Sequence, residues 1–231
     1  MSKKNHWSNY LFEIVSVFIG VTLAFGLSKW NENRRDYQSE RKILIEIRNG
    51  LKLDLKDFTE NIYGHRVGIK ACKYFRKLAL QKPVGVDSVK GHYYALFRDY
   101  ISIQNKSGYE ALKSKGLEFI SNDSLRLKVI SLYDYHYEIL EKLEEDYQEV
   151  QFNKSYYHPI NNLLADFMIF DERGDFRSIQ QPLKLSPRDK NLFLSYLLRI
   201  ETNRRVLEMY YLQVEKKVEE LIKELDTTIQ T

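Results

Sequence analysis

Histidine is the side chain in this sequence best suited to acid–base or metal chemistry, and its spacing argues against both. The five histidines are His6, His65, His92, His136 and His158. None has a second His or Cys three or four residues further on, where two metal ligands would share one helix face. The sequence also lacks a phosphate-binding glycine loop, a dinucleotide fingerprint and a nucleophile elbow. We therefore interpret each histidine as a packed or exposed helix residue and predict no enzyme, with no catalytic residue, no metal site and no cofactor.

A short acidic run is the second candidate for chemistry. It comprises Glu144, Glu145, Asp146 and Glu149. Such a run is usually a solvated helix face balanced by nearby lysines, and this is our interpretation; metal binding is the alternative. The single cysteine, Cys72, excludes an intramolecular disulfide and a cysteine-rich zinc site.

One segment, residues 10–29, is apolar enough to enter a bilayer. No charged residue lies between Ile14 and Ser28. The apolar run of about 18 residues approaches the ~20 that a helix needs to cross a ~30 Å hydrocarbon core. We predict a polar tail at 1–9 and one transmembrane helix at 10–29, with the lipid bilayer as a partner.

Aromatic residues flank this segment. Trp7 and Tyr10 lie at one end and Trp30 at the other, where amphipathic rings prefer the headgroup layer of a membrane. They are the predicted interface belt. The alternatives are a buried helix of a soluble protein and a cleaved signal peptide, for which Ala24-Phe25-Gly26 is a poor cleavage site. We expect the segment to be retained.

Small residues four apart form a stripe along the predicted transmembrane helix. They are Ser16, Gly20, Ala24 and Ser28. Small side chains at this spacing let two membrane helices approach closely, so we predict self-association along this face. Glu13 belongs to the same stripe. As an intramembrane polar residue it either pairs and has a function or reaches the headgroups, and both interpretations stay open.

The rest of the chain predicts an all-α fold. Leu, Glu and Lys recur at helical spacing, and only 4 Pro and 10 Gly interrupt them. We predict that the transmembrane helix continues into an elongated antiparallel helical bundle with coiled-coil-like packing at 30–231. The long helices are expected at about 30–80, 123–158 and 187–227, and short ones at about 88–103, 107–115 and 160–169. The stretch 171–187 is predicted to be a loop.

Two helix starts have recognisable capping signals. Ser107 with Glu110 fits a capping box, and Ser186 followed by Pro187 fits an N-cap with proline at the first helical position. Gly50, Gly64 and Gly68 interrupt the first long helix pattern, and each is expected to weaken the helix by up to ~1 kcal/mol without breaking it.

Charge and aromatic content restrict the partners. A formal net charge of +4, dispersed along the chain, does not indicate nucleic acid binding. The 17 tyrosines suit either protein interfaces or a half-buried core in a thin bundle. We expect a homo-oligomer and an envelope protein as a further partner.

Two blocks of the sequence resemble an uncharacterised family of single-span membrane proteins from Bacteroidetes. The first is Glu13-Ile14-Val15 with Gly20-Val21, Ala24 and Trp30-Asn31-Glu32-Asn33-Arg34, and the second is Ser107-Gly108-Tyr109-Glu110-Ala111-Leu112 with Gly116-Leu117 and Ile120-Ser121-Asn122. This chain has Tyr-Leu-Phe where the family has Gly before the Glu. The resemblance implies a bacterial inner-membrane protein with a helical domain of unknown function.

The side of the membrane that holds the domain is left open. More Lys and Arg follow the apolar segment than precede it, which favours the cytoplasm. The longer basic tail of the resembling proteins implies a periplasmic domain, which we favour.

The predicted function is a scaffold or accessory subunit; the alternative is an oligomeric pore or a force- or signal-sensing protein.

Overall fold

The computed structural model describes residues 6–85 and 88–230, and its architecture is all-α, as predicted, apart from one small hairpin. Residues 1–5 of the predicted polar tail lie outside the described residues, and the chain is already helical at His6.

The helices are α1 (His6–Ala79), α2 (Val89–Phe97), α3 (Ser107–Lys115), α4 (Asp123–Ser131), a π-helix (Leu132–Tyr137), α5 (Glu138–Glu145), α6 (Phe152–Leu164) and α7 (Pro187–Gln230). Single 3-10 turns occupy Leu117–Phe119, Gln148–Val150 and Ala165–Phe167.

Helix α1 is one unbroken element of 74 residues. At ~1.5 Å per residue it is about 110 Å long and joins the apolar segment directly to the bundle. It ends in a paired turn in which the amide of Gln81 donates to the carbonyl of Leu78 (3.0 Å) and that of Lys82 to Lys77 (2.9 Å). Gln81 has a φ of 56°, the left-handed conformation that such a helix end requires, and Pro83 prevents continuation.

The 44-residue helix α7 packs antiparallel along α1. Ion pairs show the register: Arg48 lies 3.1 Å from Asp226 near one end, and Arg76 lies 2.6 Å from Glu201 near the other. At the start of α7 the Ser186 hydroxyl accepts the amide of Asp189 at 3.1 Å, which agrees with the predicted N-cap.

The third side of the bundle is not the single helix predicted at 123–158. The helix that begins at Asp123 passes through the π-helix and ends at Glu145, and a 3-10 turn separates it from α6. Helix α6 then includes Pro159 in place of ending before it. Pro159 has no amide to donate to the carbonyl of Ser155, so α6 lacks one internal hydrogen bond at this point. The predicted helix at 160–169 is therefore wrong in part: residues 160–164 are the end of α6, Ala165–Phe167 form a 3-10 turn, and the last two residues belong to a β-strand, Met168–Phe170.

The predicted helix at 88–103 is also shorter, since α2 ends at Phe97. Residues 98–106, here called the strap, have no regular secondary structure and run from α2 to α3 across the side of α1. The predicted capping box is wrong, because Ser107 is already helical and its hydroxyl donates to the side chain of Asn105 at 2.9 Å.

The predicted loop at 171–187 contains half of an antiparallel hairpin. Strand β1 (Met168–Phe170) pairs with β2 (Phe176–Ile179), with a register shift after Ile169. Asp171 closes the turn by accepting the amides of Arg173 and Asp175 at 3.0 and 2.9 Å. The inward side chains of β2 complete the core beside α2, so a tertiary contact and not local periodicity stabilises this hairpin.

The bundle contains two hydrophobic clusters, one after the other along its length. The cluster nearer the apolar segment joins α1 to α3, α4, the π-helix and the second half of α7, and includes Leu51 and Val218. The farther cluster joins the end of α1 to α2, α6, β2 and the first half of α7, and includes Phe75 and Phe193. A layer of buried polar side chains lies between the two clusters.

Candidate functional site

The apolar segment of α1 is wholly exposed in the isolated chain. Every side chain from Tyr10 to Gln38 is exposed, and Phe12, Phe18 and Phe25 each leave more than 70% of their surface accessible. The segment is long and apolar enough to cross a membrane, properties that cleaved signal sequences near a terminus share. Its exposure excludes the alternative of a core helix packed inside this chain.

The predicted association stripe is open along this helix. A Cβ added to Gly20 would meet no atom within 4 Å. The hydroxyl of Ser16 donates to the carbonyl of Phe12 at 2.8 Å, so its proton is satisfied within the helix. Ala24, Ser28 and Glu13 are also exposed. The structure brings none of these side chains against another element of the chain, and self-association stays a prediction.

The predicted belt residues are exposed at both ends of the segment. Trp7 is 90% exposed, Tyr10 63% and Trp30 61%. Trp7 and Trp30 are separated by about 35 Å along a straight helix, close to the distance between the two interfaces of a bilayer. The guanidinium of Arg34 lies 5.8 Å from the ring of Trp30, which places a cation beside this end of the segment.

A second group of chemically capable side chains lies in the buried polar layer, and its centre is Arg204 of α7. Arg204 is fully buried. Its Nη2 donates to the carbonyls of Ala95, Leu96 and Arg98 at 3.2, 3.0 and 2.9 Å, two in the last turn of α2 and one at the first residue of the strap. Its guanidinium stacks 3.9 Å from the ring of Phe152. Burial lowers the pKa of Arg204 to about 10, so it remains a cation at neutral pH.

His65 of α1 is the neutral neighbour of this cation. Nη1 of Arg204 approaches Nδ1 of His65 at 3.5 Å, and because a guanidinium can only donate, Nδ1 is the acceptor and Nε2 carries the proton. Burial, with a smaller contribution from Arg204, lowers the pKa of His65 to about 3. Within residues 6–85 and 88–230, neither His65 Nε2 nor Arg204 Nε has a hydrogen-bond partner.

Buried carboxylates hold the strap from the other side. Glu144 of α5 accepts the amide and the hydroxyl of Ser102 at 3.1 and 3.0 Å, and it also accepts the Tyr211 hydroxyl of α7. Burial raises the pKa of Glu144 to about 7. The same loss of hydration, together with this carboxylate, raises the pKa of Tyr211.

Two aspartates of α1 repeat this arrangement. Asp54 is buried and accepts the amide of Asn105 at 2.8 Å and the Tyr137 hydroxyl at 2.6 Å. Asp57 accepts the amide of Ile103 at 3.1 Å. Burial raises the pKa of both aspartates. In the part of the chain that the structure describes, the strap belongs to no helix or sheet, so these carboxylates satisfy amides that regular secondary structure would otherwise satisfy.

The glycines of α1 are the signal in the sequence that could have located the strap. A Cβ on Gly64 would lie 2.2 Å from the ring of Tyr100, and one on Gly50 would lie 3.1 Å from the side chain of Asn105. Both contacts are with strap residues. Glycine inside a helix often marks such a close approach. The sequence pattern by itself marks these positions only as weak points of the helix.

The acidic run and the histidines show a mixed outcome. Glu145, Asp146 and Glu149 are exposed as expected, but Glu144 is buried. His65 is a packed histidine, one of the two environments expected. Across the part of the chain that the structure describes, no group of three His, Cys, Asp or Glu side chains converges as a metal site.

No protein-family model matches this chain, and no curated protein or solved structure matches it. The resemblance to the Bacteroidetes family therefore stays a prediction.

Proposed function

We propose that this protein is a single-pass membrane protein of a bacterial inner membrane that acts, without catalysis, as a scaffold or accessory subunit through self-association and contacts with an envelope protein. The observation that supports membrane anchoring best is the exposed apolar run of α1 with aromatic residues at both ends. Transfer of that apolar surface from water into lipid is favourable by roughly 25 cal/mol per Å² of buried area.

The scaffold role rests on the continuity of α1. One helix joins the apolar segment to both hydrophobic clusters of the bundle. Association of two apolar segments would therefore fix the spacing of two bundles. The proposal that the protein lacks catalytic activity rests on the polar layer, where the carboxylates of Glu144, Asp54 and Asp57 accept strap amides and Nη2 of Arg204 donates to three backbone carbonyls.

Membrane anchoring is tested by extraction of the expressed full chain. Alkaline carbonate should leave the protein in the membrane pellet, and only detergent should release it, with its N-terminal residues still present by mass spectrometry. Release by carbonate, or loss of the apolar segment from the mature chain, would contradict the proposal.

Self-association is tested with two glycines of the same helix. Gly20 lies on the small-residue stripe, and Gly26 lies about 120° around the helix from Gly20 at ~100° per residue. A Cβ at either position meets nothing within 4 Å in the single chain, so neither substitution disturbs the monomer. Gly20→Leu should reduce oligomers in detergent, whereas Gly26→Leu should leave them. If the two substitutions reduce the oligomers equally, the small-residue stripe is not the association face.

A pore or a force sensor is the second candidate. The unbroken α1 favours it, because a rigid helix transmits a displacement of the bundle to the membrane segment, and Glu13 lies in the stripe that associating helices would share. If the protein forms a pore, liposomes that contain the wild-type protein should conduct ions. Liposomes that contain the Glu13→Gln variant should then show an altered conductance. If the wild-type protein shows no conductance, the pore is rejected and the scaffold remains the proposed function.

The orientation of the bundle is a separate part of the proposal. We place it in the periplasm on the resemblance alone, although the count of Lys and Arg around the apolar segment favours the cytoplasm. A reporter that is active only in the cytoplasm, fused after Thr231, decides between the two sides.

A further inference from the structure

A cavity lies between α4, the π-helix and the second half of α7. Its volume is about 270 Å³, close to the lower end of the ~300–1,000 Å³ that is typical of small-molecule sites. Nine side chains of the described residues line it, all from these three helices. Its floor is formed by Leu132 and Leu221, two buried side chains of the hydrophobic cluster nearer the apolar segment.

Contacts at both ends fix the width of this cavity. At one end, Nζ of Lys128 in α4 lies 2.5 Å from the carboxylate of Glu224 in α7. At the other end, the hydroxyl of Tyr210 in α7 donates to the carbonyl of His136 in the π-helix at 3.3 Å. A π turn is rare and occurs frequently at functional sites. Because the two walls are joined at both ends, a ligand would meet a formed cavity.

Two charged side chains of α7 in the cavity lack a close partner. Lys217 takes part in no ion pair among the described residues, and Glu220 approaches only Lys216, at 4.0 Å, where both side chains are mostly exposed. Because Lys217 and Glu220 are three residues apart, they share one face of α7 and are separated by ~4.5 Å along it. His136 lies beside Lys217. Burial, with a smaller contribution from Lys217, lowers the pKa of His136, so its imidazole is neutral at neutral pH.

We propose that this cavity binds a free α-amino acid with an apolar side chain. The carboxylate of the amino acid accepts hydrogen bonds from Lys217 and His136, its ammonium group donates to Glu220, and its side chain covers the two leucines of the floor. The charges of the lining favour a zwitterion. Lys128 and Glu224 satisfy each other, which leaves one cation and one anion for the ligand. A ligand with a single charge would satisfy only one of these two groups.

Lipid headgroups lie too far away to be this ligand. Asp226, two residues after Glu224, pairs with Arg48, and Arg48 lies about 27 Å along α1 from Trp30. The headgroup layer of a bilayer is only ~5–8 Å thick on each side. With Trp30 at the membrane interface, as proposed, the cavity therefore takes its ligand from solution. The site does not depend on the proposed scaffold role.

Equilibrium dialysis of the full chain in detergent against radiolabelled L-leucine tests the site, with protein-free micelles as the blank. The wild type should bind leucine saturably. Lys217→Gln and Glu220→Gln should each bind it about fivefold or more weakly, because each removes one charge that contacts the ligand. Lys223→Gln and Glu219→Gln are the matched controls at exposed positions of the same helix outside the cavity, and they should keep the wild-type affinity. Equal helix content and thermal midpoints would show that all four variants are folded.

Competition by leucine analogues assigns the two charged ends. N-acetyl-leucine lacks the ammonium group and leucine methyl ester lacks the carboxylate, so each should displace labelled leucine about fivefold or more weakly than leucine itself. The methyl ester should compete equally well in the wild type and in Lys217→Gln, because it has no carboxylate for this lysine to bind. N-acetyl-leucine should likewise be insensitive to Glu220→Gln.

Three outcomes would overturn the assignment. One is the absence of saturable leucine binding by the wild type. Another is equal affinity of the cavity variants and their controls, which would place the binding elsewhere on the protein. The third is binding of N-acetyl-leucine as tight as that of leucine, which would assign the cavity to a simple carboxylate in place of an amino acid.

Discussion

Arg204 of α7 lies so close to Gly68 of α1 that a Cβ on the glycine would fall 2.3 Å from Nε of the arginine. This contact lies between the two hydrophobic clusters. It lets a buried cation reach the end of α2 and the start of the strap. The stability of the bundle should therefore depend on both residues of this pair.

Gly68→Ala should lower the free energy of unfolding. An alanine is the better helix former, but the clash with a buried, tethered arginine is expected to cost ~1–3 kcal/mol. Gly91→Ala is the matched control, because its Cβ meets nothing within 4 Å and alanine should stabilise α2 by ~0.5–1 kcal/mol. Denaturant unfolding followed by circular dichroism measures both. The same sign of change for the two variants would contradict the close approach.

Arg204→Lys should destabilise the bundle although it preserves the charge. A lysine side chain is one bond shorter and has no planar group, so it cannot bring a donor to the position of Nη2, which meets three carbonyls, and also stack on the ring of Phe152. Buried carbonyls left without a donor cost ~1–3 kcal/mol in total. Arg205→Lys, at a side chain 53% exposed, should change stability by less than ~0.5 kcal/mol. Unfolding midpoints that match for the two variants would show that Arg204 is replaceable.

Glu144 should make stability depend on pH. Its pKa is about 7 in the fold against 4.5 in the unfolded chain, so the folded state holds a proton that the unfolded state has lost between these values. The stabilising contribution is present below pH ~4.5 and is lost as the pH rises through ~7, by up to about 3 kcal/mol. Asp54 and Asp57, whose pKa values are also raised, add a change of the same sign.

Glu144→Gln should flatten this profile between pH 5 and 8 when unfolding is measured at half-unit steps. Glutamine keeps an oxygen that can accept the Ser102 amide. The control is Glu145→Gln, at the next and exposed residue of α5, which should keep the wild-type slope. A wild-type unfolding free energy that rises from pH 5 to pH 7 would reverse the sign and refute the assignment.

Gln81→Gly should stabilise the end of α1. The residue has a φ of 56°, which costs an L-amino acid ~1 kcal/mol and costs glycine almost nothing. The gain should be about 0.5–1 kcal/mol. Gln38→Gly, inside the exposed part of α1, is the opposite case and should weaken the helix, with both changes measured by thermal unfolding. Destabilisation by Gln81→Gly would contradict the left-handed conformation at this turn.

Long periodic patterns predicted the main helices of this protein well. The stripe of α1 through Leu51 and Phe58 and that of α7 through Val214 and Leu221 each describe a buried face that one helix can present alone. The predictions failed between these helices. The strap contains apolar residues at helical spacing, yet it is not helical, because carboxylates of α1 and α5 bind its amides.

The amino-acid sequence by itself determined that the chain is all-α and that one helix is long and apolar enough to span a membrane, since both follow from local spacing and hydropathy. The tertiary structure alone decided that this helix is exposed and that Arg204, His65 and Glu144 share a buried layer. These side chains come from segments up to 139 residues apart. Their meeting depends on the antiparallel register of α1 and α7, which no local pattern encodes.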